Sequence, residues 1–134
     1  MRHSHRITIV DIRRPATDNI NHELQWLGSS LGLFGERDKD RSCFRIFIEL
    51  VKNTKRQEPL SSDDLADRLE LSRGTVVHHL HKLLDSGIVV SESRGYILRN
   101  NNLQQLVNEV ERDIMKTCHE LKKMAEDIDR GLGL

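Results

Sequence analysis

Two short helical segments, each preceded by a capping serine, constrain the fold of this chain more than any other feature. Ser61 and Asp64 have the spacing of a capping box, in which each residue's side chain satisfies the other's backbone N–H. Ser72 directly precedes the second helical segment, and serine is a residue type that commonly caps helices. These signals predict two helices, at about residues 61–69 and 73–86, separated by a turn of about three residues.

The periodicity changes to that of strands directly after Gly87. Residues 88–92 and 96–99 are rich in β-branched and aromatic side chains, and Ser93-Arg94-Gly95 between them has the composition of a turn. A hairpin that follows two closely spaced helices is typical of a winged helix-turn-helix. We therefore predict a mainly α fold with a small β wing, built as a winged helix-turn-helix with a long C-terminal dimerisation helix.

Further elements are predicted before this unit. The β-branched residues of Arg6–Ile12, which precede Pro15, predict a short strand, and the 4-3-4 spacing of apolar residues from Ile20 to Leu31 predicts a helix. Residues 38–53 predict a helix that is apolar over much of its circumference, as helices in the centre of a domain are. The predicted organisation is an N-terminal strand and helix (1–37), a winged helix-turn-helix domain (38–99) and a long amphipathic dimerisation helix (103–130).

The second helix of the pair has one apolar face and one face suited to nucleic acid. Val76, Leu80 and Leu83 cluster on the inward side, whereas the small residues Gly74 and Thr75 allow close approach near the helix start. A helix N-terminus with small and basic residues suits phosphates and the base edges of a major groove. A solvated face is the alternative, which the capped helix before it and the hairpin after it disfavour. The predicted DNA-binding residues are Arg73, Gly74, Thr75, His78, His81, Lys82 and, at the wing tip, Arg94.

The distribution of charge also favours the second helix and the hairpin as the surface that contacts DNA. The whole chain has 21 basic and 21 acidic residues and no net charge, but residues 72–99 carry +2 and residues 61–71 carry −3. So small a surplus predicts few phosphate contacts per subunit.

Residues 72–89 resemble the recognition-helix signature of the ArsR-like winged-helix transcriptional regulators. That pattern is Ser-x-x-Thr-Val-Ser-x-His-Leu, followed by a Leu-rich turn and Gly-Leu-Val. The resemblance covers about residues 40–99 and implies a DNA-binding transcription regulator. Two departures are that Val77 stands in place of a serine, and that Leu65-Ala-Asp-Arg-Leu69 lacks the metal-sensing Cys-Val-Cys box of some members. The matching residues are Ser72, Thr75, Val76, His79, Leu80, Leu83, Gly87 and Val89.

Seven histidines and two cysteines raise the question of a metal or redox site. The histidines of 78–81 are too splayed around a helix for one ion without a partner chain, and we interpret His79 as a support of the fold or a phosphate contact. The alternatives are a copper or nickel chelate at the amino terminus with His3, and a redox or metal pair of Cys43 with Cys118. We favour buried thiols that act as small hydrophobes, and we predict no metal and no cofactor.

Several classes of protein are disfavoured by composition and motif content. No apolar run approaches the roughly 18 residues of a membrane span, and the N-terminus lacks the pattern of a signal peptide. There is no glycine-rich phosphate loop, no His-Glu-x-x-His and no Gly-x-Ser-x-Gly. We therefore expect a cytoplasmic protein that is not an enzyme and does not enter a membrane.

The last predicted helix carries a heptad seam spaced 4-3-4-3-4-3-4. A rod of roughly 38 Å is too long for so small a domain to cover, so its own copy is the expected partner. The alternative is that this helix folds back over the domain of its own chain. The predicted interface residues are Leu103, Val107, Val110, Ile114, Thr117, Leu121, Met124 and Ile128.

Together these features predict a homodimeric, sequence-specific regulator that binds double-stranded DNA at an inverted repeat. The alternative is a winged-helix module for protein interaction or RNA association. A third possibility is a metal or redox sensor, although the sequence names no effector.

Overall fold

The computed structural model describes residues 6–35 and 41–134. It confirms the predicted fold class, because the described residues are mostly helical with one two-stranded antiparallel sheet and a long C-terminal helix. A single turn of 3-10 helix, Thr54–Arg56, follows the second helix. The elements are α1 (Ile20–Ser30), α2 (Ser42–Asn53), α3 (Ser62–Leu69), α4 (Arg73–Asp85), β1 (Val89–Glu92), β2 (Gly95–Leu98) and α5 (Leu103–Leu132).

The hydrophobic core is built around α2. Ile46, Phe47 and Leu50 on this helix are at most 1% exposed, and they pack with buried residues of α3, α4, β1, β2 and α5. Each large apolar side chain buried in this way contributes about 1.5–3 kcal/mol. The core therefore fixes α3 and α4 against α2, which leaves their opposite faces in solvent.

The turn between α3 and α4 is set by local hydrogen bonds. The predicted capping box is present: Asp64 N–H donates to Ser61 Oγ, and Ser61 N–H donates to the Asp64 carboxylate, both at 3.0 Å. These bonds from Ser61 lower the pKa of Asp64. Glu70 ends α3 with a left-handed backbone (φ 56°), and Ser72 caps α4 by accepting from Thr75 N–H at 3.1 Å.

The wing is a tight hairpin tied to the start of α3. Its register pairs Glu92 with Gly95, so Ser93 and Arg94 form a two-residue loop. Beyond the hairpin, Leu60 and Tyr96 exchange two backbone hydrogen bonds of 2.9 and 2.8 Å. Gly95 has φ +148°, and a Cβ there would lie 2.3 Å from the Leu60 carbonyl oxygen, so this close pairing requires glycine.

The strand predicted at Arg6–Ile12 is absent, which corrects the prediction. This segment makes only isolated backbone hydrogen bonds, such as Val10 N–H to Ser30 C=O at 2.8 Å. In addition, the Trp26 indole N–H donates to the Ile12 carbonyl at 3.0 Å. A strand needs a neighbouring strand to complete its ladder, and this segment runs beside helices instead.

The two halves of α5 differ in their surroundings. Leu106 and Val110 are buried in the core, whereas every residue from 115 to 134 is exposed. Among the described residues only α5 is long enough to cross a membrane, and its charges make it too polar to do so. Of the predicted interface residues, Leu103, Val110 and Ile114 pack in or against the core of their own chain.

Candidate nucleic-acid interface

The predicted DNA-binding residues lie on one helix and on the turn of the hairpin. The inward face of α4 is firmly seated, since Val76, Leu80 and Leu83 are at most 1% exposed. Thr75 is half-buried, while the other predicted contacts are exposed. α4 thus carries exposed polar and basic side chains on a helix that the core holds rigidly. The exposed members of the set are Arg73, Gly74, His78, His81, Lys82 and Arg94.

Side-chain hydrogen bonds organise the first turn of α4. The Ser72 hydroxyl accepts from Thr75 N–H and donates to Thr75 Oγ1, at 3.1 and 2.8 Å. Because Thr75 Oγ1 is the acceptor in the second bond, its own hydrogen stays available as a donor. The cap therefore orients the Thr75 hydroxyl at the helix end where backbone N–H groups favour an anion.

Gly74 lies in open space at this same end of the helix. Apart from its chain neighbours and the backbone of its own helix, a Cβ built on Gly74 would meet no atom of the described residues within 4 Å, so packing among them does not require glycine here. Glycine is also a poor helix former. The absence of a side chain nevertheless leaves the backbone of the first turn accessible from outside.

Arg73 forms an ion pair that sequence reasoning missed. Its guanidinium Nε lies 3.5 Å from an Asp63 carboxylate oxygen, and both side chains are more than 70% exposed. Exposed pairs of this kind contribute only about 0–1 kcal/mol. Arg73 can therefore exchange this carboxylate for a phosphate at small cost, although Asp63 competes for it.

Arg99 is not part of this surface. Its guanidinium lies 2.8 Å from Glu109 and 2.9 Å from Asp113 on α5, and the Asp113 hydrogen bond is the main cause of its raised pKa. Its side chain is only 27% exposed. Without Arg99, the surplus of residues 72–99 falls from +2 to +1, so the charge count from sequence overstated the positive charge of the interface.

Two of the described histidines form a neighbouring pair on α4. His78 is exposed and its ring lies 5.3 Å from that of the half-buried His79, in an edge-to-face arrangement. Within residues 6–35 and 41–134, no group of three or more His, Cys, Asp or Glu side chains is arranged to hold a metal ion. His3 lies outside the described residues.

The expectation of two buried thiols is wrong for one of them. Cys43 is buried and its Sγ–H donates to the Leu33 carbonyl at 3.3 Å, but Cys118 is exposed on α5. Cys118 lies on the exposed half of α5, where none of the other described elements covers its side chain.

Comparison with known proteins agrees with this architecture. Residues 40–92 match a protein-family model described as a helix-turn-helix domain, and this range contains α2, α3, α4 and β1. No curated protein and no solved structure matches the chain. The chain therefore contains a helix-turn-helix domain followed by a wing, a domain type whose usual partner is DNA.

Proposed function

We propose that this protein is an ArsR-like, sequence-specific transcriptional regulator that binds double-stranded DNA as a homodimer. α4 and Ser86 enter the major groove, and the wing, at about residues 88–99, contacts the backbone or the minor groove. The observation that carries this proposal is the first turn of α4. There, a capped and rigidly held helix end presents open space over Gly74 beside exposed basic residues.

The exposed half of α5 supports the homodimer. Residues 115–132 extend about 27 Å, and Leu121, Met124 and Ile128 on this half are each more than half exposed. An apolar stripe of this length on a helix calls for a partner, and a second copy around a two-fold axis provides one. The interface proposed here consists of the outer seam: Thr117, Leu121, Met124 and Ile128, with Val107 at its inner edge.

Selection of duplexes from randomised and genomic DNA, at near-physiological salt, tests the proposal as a whole. A dimer with two recognition helices places its half-sites about one turn of DNA apart. Enrichment of an inverted repeat with fixed spacing is the expected result. An unenriched pool from folded protein would contradict the proposal and would favour a protein-interaction or RNA-associated module.

Alanine at His78 or at Lys82 tests the orientation of α4. Both residues are exposed on the face opposite the core, so either change is expected to weaken DNA binding without altering dimerisation. Loss of the Lys82 phosphate contact from both subunits should also reduce the salt slope of binding by about 2, since each contact contributes about 0.9.

Lys123→Ala on the exposed half of α5 is the matched control, because it removes the same charge far along the chain from α4. An equal loss of affinity in both lysine variants would show that α4 has no specific role.

A further inference from the structure

A groove of about 560 Å³ lies between α1, the end of α2 and the start of α5. Arg14, Pro15 and Thr17 of the N-terminal segment also line it. This volume falls within the range of about 300–1,000 Å³ typical of small-molecule sites. Its apolar lining is formed by Ile20, Leu24, Trp26, Leu27, Val51 and Leu103.

The apolar lining includes residues that solvent reaches. Ile20 is 70% exposed although it lies on the groove. Trp26 has its indole N–H engaged by the Ile12 carbonyl, so the ring offers the groove an apolar surface and no free donor. The groove is thus suited to an apolar body.

The border of the groove is cationic. Arg14, Lys52 and Lys55 are exposed around it, and Glu23 is the acidic residue among its lining groups. In the part of the chain that the structure describes, none of these three cations forms an ion pair. An anionic group at the edge of the groove would therefore meet positive charges that form no ion pair with the described acidic residues.

We propose that this groove binds a small amphipathic carboxylic acid. Its alkyl or aryl body lies on the apolar lining, and its carboxylate lies at the border formed by Arg14, Lys52 and Lys55. The size of the groove suits a small molecule, and the excess of cations at its border favours this ligand over an uncharged one. The inference does not depend on DNA binding, and its test uses no DNA.

Trp26 is the single tryptophan of the chain, so its fluorescence reports directly on the groove. The full-length protein is titrated with decanoate, and separately with decanol as the neutral ligand of equal length, below the concentrations at which either aggregates. A saturable change in emission is expected with decanoate, at a concentration at least tenfold lower than with decanol.

Variants of the groove separate the two parts of the ligand. Lys52→Met combined with Lys55→Met should weaken decanoate binding about tenfold and leave decanol unchanged, since methionine keeps an apolar stem. Ile20→Asp should weaken both ligands, and its exposure means that folding does not depend on it. Lys123→Met, away from the groove, is the control for general loss of positive charge.

Three results would overturn the proposal. One is the absence of any saturable change in Trp26 emission. Another is equal affinity for decanoate and decanol together with no effect of the lysine changes. The last is emission that depends on protein concentration without ligand, which would mean that a second copy of the chain covers the groove.

Discussion

At the start of α4, three neighbouring residues have distinct parts in the structure. Ser72 ends the turn and caps the helix. Thr75 forms both hydrogen bonds with the Ser72 hydroxyl, and Gly74 contributes no side chain at all. The first two are explained by the local hydrogen bonds of a helix N-terminus. Gly74 is not explained by any contact among the residues that the structure describes, which is why it bears most directly on the proposed DNA contact.

Replacing Gly74 separates stability from binding. Gly74→Ala should stabilise the protein by up to about 1 kcal/mol, because alanine is the better helix former and its Cβ meets no neighbour. Gly74→Leu should weaken operator binding at least tenfold, because its side chain fills the space assigned to DNA. Urea unfolding and titration of the selected duplex measure the two effects. Unchanged affinity in Gly74→Leu would show that DNA does not approach this turn.

The Arg73–Asp63 pair leads to a second prediction at this scale. Asp63→Asn releases Arg73, so affinity for the selected duplex should rise by up to about fivefold for each subunit bound, the equivalent of one exposed ion pair. Asp67→Asn is the matched control, because it removes an exposed carboxylate of the same helix that has no pair with Arg73. An equal rise in both variants would attribute the effect to net charge and not to the pair.

At the scale of the elements, Arg99 connects the wing to α5. It follows β2 directly, and its two partners, Glu109 and Asp113, lie one turn apart on the same face of α5. The same helix buries Leu106 and Val110 in the core. The wing and the first half of α5 are consequently held in one orientation by both an ionic and an apolar contact.

Arg99→Met tests this connection. It removes a partly buried guanidinium with two carboxylate partners, so the free energy of unfolding should fall by about 1–2 kcal/mol after allowance for partial exposure. Arg112→Met, at an exposed position of the same helix, should have little effect. Denaturant unfolding of both variants gives the comparison, and equal losses would show that the Arg99 contacts add no stability.

At the scale of the whole molecule, α5 has two roles along its length. Its first three turns complete the core of the domain, and its remaining residues project beyond it. A projecting helix with an apolar seam is suited to join two domains, and it would set the distance between their α4 helices. The proposed operator geometry therefore depends on this helix as much as on the residues that contact bases.

Leu121→Glu combined with Ile128→Glu tests the outer seam. Both positions are more than half exposed within the chain, so the domain should keep its fold while the protein becomes monomeric and loses most of its operator affinity. Met115→Glu is the control, because Met115 is as exposed as Leu121 but lies off the seam. Sedimentation and circular dichroism measure assembly and folding. A dimer that persists in the double variant would place the interface elsewhere.

Helix caps and residue periodicity were sufficient to predict α3, α4, the hairpin and α5. The bonds of a cap span about three residues, and the positions that define a helical or strand face are at most a few residues apart. The Ser61–Asp64 capping box and the buried face of α4 could be predicted for this reason. The positions of the proposed DNA-binding residues on exposed parts of α4 and the wing follow from the same local signals.

Contacts between residues distant in the chain required the tertiary structure. Arg6–Ile12 has the composition of a strand, but no neighbouring strand pairs with it. Arg73 and Arg99 count equally as positive charges in the sequence, yet one lies on the proposed DNA surface and the other is held by α5. Likewise, a heptad pattern does not predict which turns of a helix pack against the core of the same chain and which stay exposed. Burial and ion pairing depend on which elements meet in space, and local periodicity carries no information about that.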